Sequence, residues 1–507
     1  MPTLAGALAT TAFRAPHRIA LKFGASTYTY AELDARVNQL ARELRSRGLK
    51  KGDRVVIMSG NSDAFVIAVY AGLRLGAIVV PVNPRSAPPE LDYFLRDSGS
   101  QILLFGTDVE ATVNKWHSLS DPGQGVSAWS LGAVEGHHDI LELAATRAAD
   151  PVEVAVREDD DALIIYTSGT TGRPKGALFD HHRIIWVGQN TSMGIGTMDG
   201  ERFLHAAPLY HSAALNMLLL HGVMLGATHV ILPSFDPEVV LESIERERIT
   251  FFFGVPTMYT FMLRSPSIGR RDLSSLRTCM YGAAPMPATT ARAILAAIPD
   301  ARLVQACGQT EGGPGGIVLT PEEVMAHPEA SGRSALPNTE VRIVDAAGND
   351  VAPGAIGEMI MRGETMMKGY WGKPDQTAET VRAGWVHTGD LARIDSEGYI
   401  TLVDRLKDMI ISGGRNIYSV EVENALAGHP AIGDIAIVGR PSEEFGETVV
   451  AIVSLRPGMQ LTLEELRAFG RELIADYKLP RELIFDVIPR NPSGKILKHV
   501  LRDRLDT

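Results

Sequence analysis

A segment rich in glycine and hydroxyl side chains, YTSGTTGRPKGA at residues 166–177, directly follows the apolar run LIIY at residues 163–166. The apolar run predicts a buried strand, and loops at the carboxyl ends of such strands are where α/β proteins bind ligands. Glycines let the backbone approach a ligand closely, while hydroxyl and N–H groups can surround an oxyanion. The alternative is a surface loop of turn-forming residues. We predict a phosphate-binding loop, with contacts from Thr167, Ser168, Gly169, Thr170, Thr171, Gly172 and Lys175.

This loop is not the common GxxxxGK[ST] motif, because its glycine spacing differs and no hydroxyl residue follows the lysine. Five further segments do accompany it in order along the chain: APLYHSAAL (207–215), CGQTE (307–311), GWVHTGD (384–390), DRLKDMIISGGRNIYSVEVE (404–423) and NPSGKILK (491–498). All six together resemble the signatures of the adenylate-forming superfamily, which includes acyl-CoA synthetases, aryl-CoA ligases, luciferases and peptide-synthetase adenylation domains. The resemblance spans nearly the whole chain. It implies that MgATP and a carboxylic acid form an acyl adenylate with release of pyrophosphate, and that the acyl group then passes to a thiol.

The resemblance assigns nucleotide contacts to several of these motifs. Glu311 is implied as a ligand of Mg²⁺, a cation that prefers oxygen, with Thr170 as a further metal contact. Lys495 is implied to reach the substrate carboxylate and the α-phosphate during adenylation. Taken alone, each of these side chains would more often be a solvated or turn residue. The other implied ATP contacts are Gly282, Ala283, Ala284, Cys307, Gly308, Thr310, Asp390 and Arg405.

Cys307 departs from the family pattern, because these proteins commonly carry Tyr or Phe there, on which the adenine ring stacks. Cysteine cannot stack, so we expect a weaker apparent affinity for ATP without loss of activity. Arg415 and Ser419 also stand where many relatives have Glu and Pro. These two positions vary within the superfamily, and the added arginine could meet CoA phosphates or remain a solvated surface residue.

The acyl and thiol sites are implied by the same motifs. His211 is implied to border the acyl carboxylate and the thiol route, although a lone histidine in an apolar run is more often a packed core residue. The residues around it are small or flexible, so the pocket has room for a ring or a medium-length chain and offers few buried polar groups. The implied acyl pocket contains His211, Ala213, Ala214, Met217, Gly282, Pro314, Gly315 and Gly316. The implied CoA contacts are Ser412, Gly413, Gly414, Arg415 and Phe445.

The elements that must position these motifs alternate between strands and helices. Residues 53–59, 77–83 and 228–233 are short β-branched runs, whereas residues 31–48 place apolar side chains on one helical face. We therefore predict an α/β fold whose large amino-terminal domain, residues 1–403, has mixed, largely parallel sheets flanked by helices. The pattern also predicts a small α+β domain at residues 409–507. The resemblance implies that this domain is mobile and that residues 404–408, centred on Lys407, form the hinge. Within the small domain, residues 463–477 are predicted to form one helix.

Composition limits the classes of function. The 507 residues carry a net charge of −11, which does not favour binding to nucleic acid. Two cysteines in a chain of this length are too few for a disulfide framework, which fits the cytoplasm. The longest apolar stretch, residues 217–225, is shorter than the roughly 20 residues that a bilayer requires, so no transmembrane segment is predicted. We expect a monomer or a homodimer.

The resemblance and these observations together predict an ATP-dependent carboxylate–CoA ligase that activates a medium-chain fatty acid or an aromatic or cyclic acid. Its substrates would be a small carboxylic acid, ATP and CoA, with Mg²⁺ as cofactor. One alternative is an acyl-AMP synthetase that acylates a carrier protein, but we expect CoA because no carrier module follows NPSGKILK. Another alternative is a non-catalytic sensor on the same fold, which we would expect to lack Lys495 or Glu311.

Overall fold

A computed structural model describes residues 3–118, 125–167, 173–284, 286–490 and 496–505. The chain divides into two compact units, and each of them contains two stretches of sequence. The first unit is Met1–Glu340 with Met361–Val386, and the second is Val341–Ile360 with His387–Thr507. Residues 341–360 and 387–403 therefore group with the carboxy-terminal part of the chain. A hinge at residues 404–408 and the mobility of the small domain stay predictions.

Strands are distributed over both units. In chain order they are β1 Ile19–Phe23, β2 Ser26–Thr29, β3 Arg54–Met58, β4 Ile78–Val82, β5 Ile102–Gly106, β6 Ser127–Leu131, β7 Asp161–Thr167, β8 Lys175–Asp180, β9 Arg202–His205, β10 Thr228–Ile231, β11 Phe251–Gly254, β12 Thr278–Gly282, β13 Arg302–Cys307, β14 Ile317–Leu319, β15 Ser334–Ala335, β16 Thr339–Val344, β17 Ile356–Gly363, β18 Gly369–Tyr370, β19 Val381–Arg382, β20 Trp385–Ile394, β21 Ile400–Arg405, β22 Ile410–Ser412, β23 Arg415–Ile417, β24 Ile432–Ser442, β25 Gly446–Leu455 and β26 Glu482–Phe485.

Helices alternate with these strands through most of the chain. They are α1 Leu4–Arg14, α2 Tyr30–Ser46, α3 Asp63–Arg74, α4 Pro88–Ser98, α5 Glu110–His117, α6 Ile140–Ala145, α7 His181–Ile195, α8 His221–Leu225, α9 Pro237–Glu247, α10 Pro256–Arg264, α11 Ala288–Ala297, α12 Pro321–Ala326, α13 Pro374–Thr380, α14 Ser419–Leu426, α15 Leu463–Arg471 and α16 Lys498–Leu505. Short 3₁₀ turns occur at Thr107–Val109, Thr310–Gly312 and Asp476–Lys478, and a π-helix spans Ala213–Leu220.

Two large sheets build the first unit. One has nine strands in the order β15-β14-β13-β12-β11-β9-β10-β1-β2, and the other has seven in the order β18-β8-β7-β4-β3-β5-β6. Most neighbours in both sheets pair in parallel, including β6 with β5 at one end of the second sheet. The pairs β2 with β1, β14 with β13 and β8 with β7 are antiparallel. This arrangement confirms the predicted mixed, largely parallel α/β architecture.

The predicted amphipathic helix is confirmed as α2, which starts one residue earlier than expected and ends at Ser46. Thr29 caps it by accepting a hydrogen bond from the Glu32 N–H group, and the Glu32 carboxylate bonds back to Thr29 in a capping box. The buried face of α2 includes Leu33 and Val37, which join the main core of the first unit. Helices such as α2 pack in the core of the first unit and so support the sheets, whose strand ends carry the predicted nucleotide and acyl motifs.

The second unit contains a smaller antiparallel sheet in the order β23-β22-β25-β24, with β26 added in parallel to β25. Helices α14, α15 and α16 accompany it, which confirms a smaller α+β domain. The helix predicted over residues 463–477 is too long, because α15 ends at Arg471 and a 3₁₀ turn follows at Asp476–Lys478. Asp476 forms ion pairs with Arg467 and Arg471, which folds the chain back on the helix end.

In the portion of the chain that the structure describes, no helix combines the length and the apolar character needed to cross a membrane.

Candidate active site

The phosphate-loop segment connects two adjacent strands. Thr167, its last described residue before the loop, ends β7, and Lys175 begins the antiparallel neighbour β8, so the two residues lie directly opposite each other. Helix α4 braces this hairpin, because Asp97 accepts a hydrogen bond of 2.7 Å from Tyr166 and Tyr93 donates one of 2.6 Å to the Pro174 carbonyl. The predicted contacts Ser168, Gly169, Thr170, Thr171 and Gly172 lie outside the described residues.

Glu311 meets this hairpin. Its Oε1 atom accepts hydrogen bonds from the Thr167 hydroxyl at 3.0 Å and from the Tyr370 hydroxyl at 2.9 Å. The Lys175 ammonium lies 5.0 Å from the centre of the Tyr370 ring. Burial, reinforced by the Glu311 charge, raises the pKa of Tyr370, so its hydroxyl stays a donor. Three predicted nucleotide contacts, Thr167, Lys175 and Glu311, are therefore brought together around one tyrosine.

Thr310 links this group to the acyl motif. Its hydroxyl lies 3.0 Å from the Ser212 hydroxyl, immediately before the π-helix Ala213–Leu220. The Thr365 hydroxyl donates a 3.0 Å hydrogen bond to the Gly312 carbonyl and so fixes the end of the 3₁₀ turn that carries Thr310 and Glu311. π-helical turns are rare and often lie at functional sites, which agrees with the position of this one. The predicted nucleotide and acyl motifs are thus in direct contact.

His211 precedes the π-helix and is neutral near pH 7, because burial lowers the pKa of its imidazole to about 4. Its Nε2 atom is buried without a hydrogen-bond partner among the described residues, and its ring lies 4.3 Å from that of Tyr210. Within the same described part of the chain, the Tyr210 hydroxyl and both amide atoms of Asn216 are also buried and unpaired. This segment therefore holds more buried polar atoms than the small residues of the acyl motif suggested.

The predicted ATP contacts at residues 282–284, 307 and 308 lie where backbones approach closely. A Cβ atom on Gly282 would come within 2.5 Å of the Ala306 carbonyl oxygen, and one on Gly308 within 2.7 Å of the Gly316 nitrogen. Ala283 has a φ of 66°, a left-handed conformation that is strained for alanine and is most often found at functional sites. Ala284 is exposed beside it. Cys307 ends β13, and its carbonyl accepts a hydrogen bond from the Gly316 N–H group.

The predicted acyl residues Met217 and Gly315 are neighbours. A Cβ atom on Gly315 would lie 3.3 Å from the Met217 methyl and 2.3 Å from a Leu336 methyl, so only glycine fits there without a shift. Pro314 and Gly316 flank it in the loop before β14, while Ala213 and Ala214 open the π-helix. Leu336 was not predicted from the sequence, because it lies outside the six recognised motifs.

In the second unit, two of the predicted ATP contacts lie side by side. Asp390 in β20 is opposite Arg405 in β21, and the Arg405 Nε atom lies 2.7 Å from an Asp390 carboxylate oxygen. Lys407 follows β21 and is exposed. Lys495, the predicted catalytic lysine, lies outside the described residues.

The predicted CoA contacts also cluster within the second unit. The Gly413 N–H group donates a 2.8 Å hydrogen bond to the Phe445 carbonyl, and Gly413 and Gly414 have left-handed φ values of 58° and 75°. The Arg481 guanidinium lies 4.0 Å from the centre of the Phe445 ring and donates a 3.0 Å hydrogen bond to the Ser412 hydroxyl. Arg415 lies over the ring of Tyr477 at 4.8 Å.

Sequence reasoning missed Tyr370, Ser212 and Arg481. Ser212 stands inside a recognised motif, so its adjacency to His211 was an available signal. No local pattern identifies the other two, because Tyr370 reaches Glu311 through the pairing of β18 with β8, and Arg481, the residue before β26, reaches Phe445 through the pairing of β26 with β25.

Comparison with known proteins decides the family. Residues 8–371 match the model of the AMP-binding enzyme family, and residues 421–495 match the AMP-binding enzyme C-terminal domain. The chain belongs to the AMP-binding enzyme family. It is an enzyme of the acid–thiol ligase class, and the predicted superfamily and fold are confirmed.

Similar proteins cover almost the whole chain. It is 41% identical to a feruloyl-CoA synthase of Amycolatopsis over 498 residues, 96% of each protein. It is 35% identical to a long-chain-fatty-acid–CoA ligase of Mycobacterium tuberculosis over 479 residues, 94% of this chain and 93% of that one. The solved structure of a Mycobacterium tuberculosis fatty acyl CoA synthetase superimposes with a TM-score of 0.81 at 33% identity, covering 99% of this chain and 98% of the other.

Proposed function

We propose that this AMP-binding enzyme is an ATP-dependent carboxylate–CoA ligase that activates an aromatic acid of the hydroxycinnamic type. A carboxylate oxygen attacks the α-phosphorus of ATP, the bond to the β-phosphate oxygen breaks, and pyrophosphate leaves. The CoA sulfur, after losing its proton, then attacks the acyl carbonyl, and AMP leaves. The sum is acid, ATP and CoA giving acyl-CoA, AMP and pyrophosphate.

The main support for the adenylation step is that Thr167, Lys175 and Glu311 lie together around Tyr370. A cation and a hydroxyl suit the triphosphate oxygens, whereas a carboxylate suits the metal that accompanies them. Within the described residues, both hydrogen bonds to Glu311 end on Oε1, so Oε2 remains available. Mg²⁺ takes one or two protein carboxylates and completes its shell with phosphates and water, so these donors fit it. In this proposal, Glu311 and Thr170 would hold the ion, which would offset the charge of the phosphates.

The unpaired polar atoms near His211 favour an aromatic acid that carries oxygen substituents. A buried polar group without a partner costs roughly 1–3 kcal/mol, and a substrate hydroxyl or ether oxygen can supply that partner. Tyr210 and Asn216 both offer such atoms, which a saturated chain would leave unpaired. The similarity to a feruloyl-CoA synthase supports the same choice.

A fatty acid is the second candidate. The fatty-acyl relatives cover almost the whole chain, and the small side chains of Ala213 and Ala214 could admit an alkyl chain. Such a substrate would make no use of the unpaired hydroxyl and amide groups, which is why we rank it second.

The residues of the second unit complete the proposal. Lys495 contacts the substrate carboxylate and the α-phosphate, while Asp390 and Arg405 hold the ribose. Ser412, Gly413, Gly414, Arg415 and Phe445 contact CoA. Rotation at Lys407 exchanges the two surfaces between the half-reactions, since enzymes often move domains to complete a site.

The test is product analysis across a panel of acids, with and without CoA. Ferulate and 4-coumarate should give AMP and pyrophosphate, with a kcat/KM at least tenfold above that for cinnamate, which lacks the oxygen substituents, and for octanoate. ADP as product would exclude adenylation. If a carrier protein becomes acylated in the absence of CoA, at the same rate of AMP formation, the acyl-AMP synthetase would be favoured instead. Preference for octanoate would establish the fatty-acid candidate.

A further inference from the structure

Tyr370 is the side chain that connects the Glu311 carboxylate with the Lys175 ammonium. Its hydroxyl donates to Glu311 Oε1 at 2.9 Å, and its ring presents a face to Lys175 Nζ at 5.0 Å. The side chain is only 8% exposed, so both contacts are made away from bulk water. One residue thus touches the two groups of opposite charge that serve the triphosphate.

The backbone around Tyr370 is held on several sides. Strand β18 pairs antiparallel with β8, and the Trp371 N–H group donates a 2.8 Å hydrogen bond to the Gly176 carbonyl. The Tyr370 N–H group donates to the Thr377 hydroxyl at 2.8 Å. Nearby, the Met367 N–H group donates to the Glu311 carbonyl at 2.9 Å. This segment therefore fixes Tyr370 relative to both the phosphate hairpin and the Glu311 turn.

The geometry keeps the two charges apart. Among the ion pairs of the described residues, none joins Lys175 to Glu311, although both side chains contact Tyr370. A cation over an aromatic face gains roughly 0.5–2 kcal/mol, less than a cation gains from phosphate oxygens in a partly desolvated site. The ring contact therefore orients Lys175 and is weak enough for its ammonium group to move onto an anionic ligand.

We propose that Tyr370 is a positioning residue for the metal–triphosphate part of ATP. Its hydroxyl holds Glu311 through Oε1, which would leave Oε2 for the metal ion, and its ring holds Lys175 apart from Glu311 until the phosphates arrive. This inference rests on the proposed adenylation activity, and it adds separate roles for the hydroxyl and the ring.

Two variants separate these roles. Tyr370→Phe removes the hydroxyl and keeps the ring, whereas Tyr370→Leu removes both. Tyr28→Phe is the matched control, because the Tyr28 hydroxyl also donates a 2.9 Å hydrogen bond to a carboxylate, that of Asp63, elsewhere in the first unit. ATP binding is measured by calorimetry without any acid, so that no turnover occurs, across a Mg²⁺ titration and also in EDTA.

Loss of a group that orients a metal ligand typically lowers metal affinity 10–100-fold. Tyr370→Phe should therefore raise the Mg²⁺ concentration for half-maximal ATP binding at least tenfold and leave ATP binding in EDTA unchanged. Tyr370→Leu should in addition weaken ATP binding in EDTA about threefold, because Lys175 loses its support. Tyr28→Phe should change neither quantity.

An unchanged Mg²⁺ midpoint in Tyr370→Phe would overturn the inference. So would equal weakening of ATP binding with and without Mg²⁺, which is the result expected if Tyr370 only supports the fold. If Tyr370→Leu does not fold, Tyr370→Phe still decides the role of the hydroxyl, and Tyr370→Trp, which keeps an aromatic face, tests the ring. Failure of the wild-type protein to release pyrophosphate with any acid, despite normal Mg²⁺-dependent ATP binding, would contradict the proposed function and leave the role of Tyr370 intact.

Discussion

His181 provides a direct test of the electrostatics of the first unit. Its side chain is fully buried at the start of α7, where Nδ1 accepts a 3.2 Å hydrogen bond from the Leu4 N–H group. Burial lowers the pKa of this imidazole to about 4, and the nearby charges of Asp160 and Asp180 only partly oppose that effect. Replacement by asparagine, His181→Asn, keeps an acceptor for Leu4 and removes the titration.

The size and sign of the effect follow from linkage. An ordinary histidine has a pKa of about 6.5, so below that pH the unfolded chain binds a proton that the folded protein does not. His181 therefore costs the folded protein nothing above pH 6.5. Below that pH it lowers the unfolding free energy by about 1.4 kcal/mol for each pH unit. Between pH 6.5 and pH 5 the loss from His181 amounts to about 2 kcal/mol. His181→Asn should not suffer this loss.

Urea unfolding at pH 7 and pH 5, followed by tryptophan fluorescence, measures the difference. The fall in unfolding free energy between the two pH values should be about 2 kcal/mol smaller in His181→Asn than in the wild-type protein. His17→Asn, at an exposed position, is the control and should show the wild-type fall. An equal fall in His181→Asn and wild type would refute the claim that His181 is held neutral by burial.

Three further predictions concern single side chains. Cys307→Tyr should restore a ring for the adenine and lower the KM for ATP; an unchanged or higher KM would count against the missing stack. Lys498→Met should lower the unfolding free energy in urea by about 3 kcal/mol, because it leaves Glu423, the partner of Lys498 at 2.7 Å, without its cation, and burial already raises the pKa of Glu423. A loss under about 1 kcal/mol would mean that the pair is screened. Arg481→Gln should raise the KM for CoA about tenfold and spare acid-dependent pyrophosphate exchange, since its contacts are to Phe445 and Ser412; impaired exchange would place Arg481 in the first half-reaction instead.

Periodicity and turn residues predicted much of the fold. The helix α2 was recognisable because its apolar side chains repeat with the helical period, and the strands β3, β4 and β10 were recognisable as short β-branched runs. The π-helix at Ala213–Leu220 was not recognisable, because an almost continuous apolar run contains no period that distinguishes it from an α-helix. The grouping of residues 341–360 with the carboxy-terminal part also depends on long-range contacts that no local pattern reveals.

The candidate site also contains some residues that the sequence predicted and others that it did not. Thr167, Lys175 and Glu311 lie in recognisable motifs, and the structure brings them together. Tyr370 belongs to no motif that the sequence reasoning used, and its role follows only from strand pairing. The unpaired atoms of Tyr210 and Asn216 likewise become visible only once burial is known, because both residue types normally find partners.

The central claim is that this enzyme activates an aromatic acid by forming an acyl adenylate, and isotope transfer tests it most directly. Ferulate labelled with ¹⁸O in both carboxylate oxygens is incubated with ATP, Mg²⁺ and CoA, and the nucleotide products are examined by mass spectrometry. Since a carboxylate oxygen attacks the α-phosphorus and stays there when the thiol displaces AMP, one ¹⁸O atom should appear in AMP for each feruloyl-CoA formed. Unlabelled AMP, or label in inorganic phosphate accompanied by ADP, would contradict the account.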